Sequence, residues 1–296
     1  MSSTIKLLGV TAFAIVDVLL VAWLFMRDAA PETDDGPSTD ASGQVKERVP
    51  VDESVRLTRS KSFTLFRVHP SDCSGETIPK LEISTDAAEK FREVGLPVDA
   101  DRELAIRSVL AVATTSDSPD DLELLGANLD CKKRGYASDD GGESWRRADV
   151  EFDWYIAPNG KSVTSPNRTS SPDCVPISLD FTDELNAKVV CKSGSLVATD
   201  DGGATWAAVG ELSGMRSASF VGLRTGVAIA ARKDCQSQAF RSIDAGATWD
   251  RVDCIDKKVE AQALVGGAVK MFATDGRRTW LSEDLGEKWS EVVPPQ

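Results

Sequence analysis

Four octapeptides in this chain share one form, Ser/Thr-x-Asp-x-Gly-x-x-Trp. They are SDDGGESW (138–145), TDDGGATW (199–206), SIDAGATW (242–249) and SEDLGEKW (282–289). A worn fifth copy, STDAAEKF (84–91), has Ala88 for the glycine and Phe91 for the tryptophan. The aspartates are Asp86, Asp140, Asp201, Asp244 and Asp284, spaced by 54, 61, 43 and 40 residues. Repeats of about 40–50 residues indicate a propeller or a solenoid, because each unit buries its apolar face against the next. Each copy lies between two short stretches of strand length, as in AFRSIDAGATWDRV, so it reads as a hairpin turn.

The residue types suit such a turn. Asp accepts hydrogen bonds from backbone N–H groups about two residues on. Gly supplies a backbone conformation with positive φ, and the Ser or Thr hydroxyl adds a local cross-link. The closing Trp starts the returning strand and buries a large apolar body. Seven tryptophans against two tyrosines fit one recurring structural slot. Short runs such as SLVAT (195–199), TGVAIAA (225–231) and AVKMFAT (268–274) alternate with Gly, Asp and Ser clusters. That is strand punctuation, and helical periodicity is missing.

The octapeptide resembles the Asp-box, or BNR repeat, over most of residues 55–293. That family includes sialidase-like β-propellers, sortilin-type receptor domains, and bacterial and photosynthetic assembly factors. The resemblance implies an all-β Asp-box propeller whose boxes join the third and fourth strands of each blade, at the periphery and away from the ligand face. Asp86, Asp140, Asp201, Asp244 and Asp284 are then turn residues. Gly142, Gly203, Gly246 and Gly286 shape the turns, and Trp145, Trp206, Trp249 and Trp289 sit between blades. Five boxes give five blades as the simplest count, with six or seven possible. Residues 215–253 can be drawn as one complete blade. Residues 149–173 are in excess of the repeat and read as a hairpin insertion or as part of a sixth blade. Calcium loops need more oxygen ligands than one box offers, so no metal and no cofactor are expected.

Before the repeats the chain has three segments. Residues 1–6 read as a short cytoplasmic tail. Residues 7–26, LLGVTAFAIVDVLLVAWLFM, are 20 residues with Asp17 as the only charge. That length spans a bilayer core at about 1.5 Å per residue. The run is longer than a signal-peptide core and lacks a good small-residue cleavage site, so it reads as an uncleaved transmembrane anchor. A carboxylate at mid-span costs about 2.5–3.5 kcal/mol on insertion scales. The surrounding aliphatics tolerate that, and Asp17 is read as a contact for another transmembrane helix. Residues 27–54 form an acidic, Pro- and Ser-rich linker that cannot bury enough apolar surface to order itself. Residues 55–296 are the propeller.

All six cysteines, Cys73, Cys131, Cys174, Cys191, Cys235 and Cys254, follow the apolar span. An even set without C-x-x-C spacing reads as disulfides, which need an oxidising compartment. The body is therefore expected outside the cytoplasm, on the periplasmic side of a bacterial cell membrane. Cys131, Cys191 and Cys235 precede their box aspartates by 9, 10 and 9 residues, so they occupy equivalent strand ends. One pairing joins Cys174 to Cys191, Cys235 to Cys254 and Cys73 to Cys131. Another joins Cys131 to Cys174 and Cys235 to Cys254.

The formal charge of −13 argues against a nucleic-acid partner. Catalysis finds little support. Sialidases carry an F/Y-R-I-P element before the first box, and FRVHP (66–70) is an imperfect match in which Arg67 would help clamp a carboxylate. Those enzymes also need a late tyrosine nucleophile, and the two tyrosines here are Tyr136 and Tyr155. His69 is the sole histidine, and no G-x-S-x-G accompanies it. No catalytic residue is therefore assigned. The expected function is a non-catalytic, membrane-anchored scaffold that binds another envelope or membrane protein. The alternative is a glycan-binding or glycoside-hydrolysing propeller. Candidate face loops are 114–121, 158–173 and 231–238.

Overall fold

The computed structural model describes residues 55–59, 64–69, 71, 73, 77–98, 105–265 and 270–293. Within them the chain is all-β. The transmembrane reading of 7–26, with Asp17, and the linker 27–54 lie outside the described residues.

The strands group into six antiparallel sheets, each built from consecutive strands. Blade 1 holds β1 (Arg56–Arg59), β2 (Leu65–His69), β3 (Lys80–Ser84) and β4 (Arg92–Val94); blade 2 holds β5 (Ser108–Thr114), β6 (Leu122–Ala127), β7 (Lys133–Ser138) and β8 (Arg146–Arg147). Blade 3 is reduced to β9 (Tyr155–Ile156), β10 (Val163–Thr164) and β11 (Thr169–Ser170). Blade 4 holds β12 (Pro176–Phe181), β13 (Ala187–Cys191), β14 (Ser195–Thr199) and β15 (Ala207–Glu211). Blade 5 holds β16 (Met215–Val221), β17 (Thr225–Ala230), β18 (Ser237–Ser242) and β19 (Asp250–Ile255); blade 6 holds β20 (Ala261–Val265), β21 (Lys270–Thr274), β22 (Thr279–Ser282) and β23 (Ser290–Glu291).

The first strands of neighbouring blades touch in sequence, and β20 of blade 6 touches β1 of blade 1. The sheets therefore close into a ring, a six-bladed β-propeller. Closure removes the exposed edges of a flat sheet at the centre and leaves only the short outer strands open.

Six blades correct the simplest count of five. Residues 149–173 are a blade of their own, not an insertion. Its strands are two residues long and it carries no octapeptide, so it leaves no mark on the repeat. The long interval between Asp140 and Asp201 conceals it. Trp154 gives this thin sheet its core: it is 4% exposed, donates from Nε1 to the Asp183 carbonyl at 2.9 Å, and meets Trp206 edge-on with ring centroids 6.2 Å apart.

The core lies between blades. Val68, Leu81 and Val94 of blade 1 pack with Val109, Leu122 and Tyr136 of blade 2. Val190 and Leu196 of blade 4 meet Ala218 and Phe220 of blade 5, and Ile229 of blade 5 meets Ala273 and Trp280 of blade 6. Blade-to-blade burial on this pattern is why the chain reads as short, nearly continuous apolar runs rather than a clean alternation.

Candidate functional site

The five octapeptides all lie between the third and fourth strands of their blades, and they share one hydrogen-bond pattern. In blade 5, Ser242 Oγ donates to Asp244 Oδ1 at 2.8 Å and accepts from the Gly246 N–H at 2.8 Å. Asp244 Oδ1 accepts from the Thr248 N–H at 2.9 Å, and Oδ2 accepts from Thr248 Oγ1 at 2.6 Å. Asp140 and Asp201 repeat the arrangement with Ser144 and Thr205; Asp284 and Asp86 accept from the Lys288 and Lys90 N–H groups. The carboxylate thus spans four residues, not the two expected of a simple Asx turn. These bonds stabilise the charged form. Hydrogen bonds from the Thr248 side chain and backbone and from Ser242 lower the Asp244 carboxyl to about 2. Asp140 and Asp201 are held well below the usual carboxylate range by the same contacts, to Ser144 and Ser138 and to Thr205 and Thr199.

Two successive residues of each turn are left-handed. Gly246 has φ 98° and Ala245 before it 69°; Gly286 has 81° and Leu285 56°. A Cβ on Gly246 would press into Leu196 of the preceding blade and the Trp249 ring. The glycine therefore serves both the turn and the close approach of two blades. The closing aromatic bridges the same junction. Trp145 Nε1 donates to the Gly95 carbonyl of blade 1 at 2.7 Å, and Trp206 Nε1 to Ser170 Oγ of blade 3 at 3.0 Å. Trp249 packs on the blade 4–blade 5 cluster, edge-on to Phe220 of its own blade at 6.1 Å, and Trp289 packs on the blade 5–blade 6 cluster. The octapeptide carboxylates are thereby occupied as turn and blade-joint groups. Among the described residues no three His, Cys, Asp or Glu side chains converge as metal ligands.

At the opposite end of the blades lie the cysteines. Cys73 is bonded to Cys131, Cys174 to Cys191 and Cys235 to Cys254, the first of the two pairings open from the sequence. The first bond links blade 1 to blade 2. The other two staple the ends of blades 4 and 5.

Arg67 is 5% exposed and faces blade 6 rather than a ligand face. Its Nε donates to Glu82 Oε2 at 2.6 Å, its Nη1 to the Arg277 carbonyl at 3.1 Å, and its guanidinium lies 4.1 Å from the Phe91 ring centroid. Glu82 also meets His69 Nε2 at 2.9 Å and Lys80 Nζ at 3.1 Å. Burial alone would raise the Glu82 carboxyl, but His69, Arg67 and Lys80 together hold it far below the usual range. Glu82 was not singled out in the sequence. Its strand, KLEIS, alternates polar and apolar residues, so the pattern reads Glu82 as solvent-facing, although it is buried.

Both tyrosines are buried between blades, Tyr136 at 4% and Tyr155 at 6% exposure, and the Tyr155 hydroxyl accepts from Lys133 Nζ at 2.8 Å. Loop 114–121 joins β5 to β6 on the octapeptide end, where the Asp120 carbonyl accepts from the Gly141 N–H at 2.9 Å. Loop 231–238 joins β17 to β18 on the disulfide end. Segment 158–173 is interrupted by β10 and β11, which belong to blade 3, and the rest of it is loop and turn.

A shallow groove of ≈ 270 Å³ lies between blades 4 and 5 on the octapeptide end, lined by Asp180, Thr182, Asn186, Lys188, Asp200 and Leu223 among others. Half-buried Lys188 donates to the Leu223 carbonyl at 2.8 Å and lies 4.0 Å from the Phe220 ring centroid. Burial lowers its amine while Asp180 opposes the shift. Phe181, Val221 and Leu223 are exposed in the hairpins of blades 4 and 5, so this end offers apolar contact as well as hydrogen bonds.

No family model matches the chain, and no curated protein matches it. Solved structures do. A luciferin-regenerating enzyme is similar with 9% identity and a TM-score of 0.50, over 75% of this chain and 82% of that one. The GH74 xyloglucanase from Xanthomonas campestris is similar with 14% identity and a TM-score of 0.35, over 79% of this chain and 45% of that one. YCF48 bound to D1 peptide gives 14% identity and a TM-score of 0.32, over 83% of this chain and 70% of that one. The chain thus spans less than half the length of the xyloglucanase. At these identities the likeness is one of fold, the β-propeller.

Proposed function

We propose that this chain is a non-catalytic Asp-box propeller, anchored in a membrane by residues 7–26, that binds another envelope or membrane protein from outside the cytoplasm. The observation that carries the reading is Arg67. It is the residue that would begin an arginine clamp for a carboxylate substrate, and it is spent on Glu82 and on the Arg277 carbonyl. Three disulfides in the body support an oxidising location, and the 20 apolar residues that precede the linker support the anchor. Asp17 in that span is assigned a contact with a partner helix.

The test is affinity purification of the tagged full-length chain from detergent-solubilised membranes, with and without Asp17→Leu, beside glycosidase assays on the same material. The reading expects one membrane protein recovered in near-stoichiometric amount, at least 10-fold less of it with the substitution, and no glycoside turnover. Turnover of a glycoside would replace this reading with the hydrolase alternative, and recovery that ignores Asp17→Leu would remove the helix contact.

A further inference from the structure

We propose that the junction between blades 6 and 1 is the opening point of the ring and that Arg67 is its latch. Every blade is made of consecutive strands, so among the described residues no strand is exchanged between the two ends of the propeller. Each of the other five junctions is crossed by the peptide chain itself, and the junction of blades 1 and 2 also by Cys73–Cys131. Among the described residues, neither a peptide nor a disulfide crosses from blade 6 to blade 1. Those residues hold the two blades by packing and hydrogen bonds.

The described packing there is apolar. Leu57, Leu65 and Ala88 of blade 1 meet Ala263 and Phe272 of blade 6, with Phe91 and Leu281 partly buried beside them. The octapeptide aromatic at this junction is Phe91, where the other four copies place Trp. The Arg67 guanidinium lies over that ring and reaches across to the Arg277 carbonyl. Glu82 fixes the guanidinium in that direction, and His69 and Lys80 fix Glu82. From blade 6, the turn through Asp275, Gly276 and Arg278 packs against this cluster, with a Cβ on Gly276 placed 3.4 Å from His69 Cε1. The Asp275 carboxylate is engaged within its own turn by Arg278, while Arg67 donates across the junction. The ion pairs of this cluster all lie within blade 1, so they hold the guanidinium ready whether the ring is closed or open, and opening the junction breaks the bond from Arg67 to the Arg277 carbonyl, a charged donor's hydrogen bond.

Native-state hydrogen exchange on the full-length chain in detergent micelles, at stepped urea concentrations, tests this directly. Amides of β2, β3, β21 and β22 are expected to exchange through an opening with weaker urea dependence than those of β13 and β17. Arg67→Met removes the bridge and also the Glu82 partner inside blade 1, so the blade 6 strands carry the readout. It is expected to speed exchange in β21 and β22 at least 10-fold and leave β13 and β17 within 2-fold. If all six strands of the comparison exchange together in the unsubstituted chain, the opening point is overturned, whether or not the variant folds. If the junction opens early yet ignores Arg67→Met, or if the variant speeds all six strands alike, the latch is overturned.

Discussion

The two ends of the blades are held by different means. At one end, five octapeptides tie each turn to itself through one hydroxyl and one carboxylate. At the other, three disulfides hold the connections between second and third strands and the entries to the sheets. Each octapeptide turn is closed by hydroxyl and carboxylate bonds between residues at most four apart, so every blade that carries the motif can build the turn unaided. The disulfide end is fixed by partners 58, 17 and 19 residues apart, so its order depends on the fold and on the redox state of the surroundings. One end is local and repeated; the other is long-range and particular to blades 1, 2, 4 and 5.

The sharpest way to break that contrast is to remove the longest cross-link. Replacing Cys73 and Cys131 by alanine releases a 58-residue loop, which the chain-entropy model values at about 4 kcal/mol. Urea unfolding of the double variant should show a loss of that order. Limited proteolysis should cut first near the freed cysteine connections, with the octapeptide turns still protected. Cleavage at the octapeptides first would mean that the two ends do not differ in the way described.

The legibility of the sequence follows the same division. The octapeptide end could be read in advance because its parts are neighbours in the chain: Ser242, Asp244, Gly246 and Trp249 carry hydroxyl, carboxylate, turn and blade joint within eight residues. Blade 3 has no such unit, so its two-residue strands were hidden in an interval between repeats, and the blade count moved from five to six. The cysteine partners needed an assumed blade frame before their spacing meant anything. Glu82 was invisible because its meaning depends on Arg67, fifteen positions earlier, and on Arg277 in the last blade. Lys188 and Asp180 are likewise ordinary strand residues until Leu223 and Phe220 of the next blade close over them.

A smaller effect is expected from the joint between the octapeptide and the preceding blade. Gly246→Ala puts a methyl group against Leu196 while asking an L-residue to hold φ near 98°. Overpacking of this kind costs about 1–3 kcal/mol, and the left-handed backbone adds to it. Ala245 already adopts φ 69°, so Ala245→Gly is the matched control: relief of the left-handed backbone offsets the added unfolded-state entropy, and the change should be neutral or stabilising. Thermal unfolding of the pair should move in opposite directions. If both variants lose stability alike, the turn is limited by chain entropy and not by the approach of the blades.

The last difference is in the cross-links themselves: the octapeptide ones are made by carboxylates, which titrate, and the disulfides do not titrate. The carboxyls of Asp140, Asp201 and Asp244 are lowered by hydrogen bonds donated to their charged forms. In the unfolded chain an aspartate titrates near 3.9. Between that value and the lower folded ones, the unfolded chain binds more protons than the folded one, so stability falls as pH falls. The contribution is complete above about pH 5 and drains away from about pH 4 toward pH 2, where Asp244 itself protonates. These carboxylates are solvent-exposed, so the effect at each site is small and screened. It should show as a slope, followed by urea unfolding at steps from pH 5 to pH 2.5. Replacing Asp140, Asp201 and Asp244 together by asparagine removes the titrating groups, so the variant should start less stable and fall less steeply with acid than the unsubstituted chain. Parallel curves would assign the acid sensitivity elsewhere, with Glu82 at the blade 6–blade 1 junction the next carboxylate to examine, since its lowered pKa has the same sign.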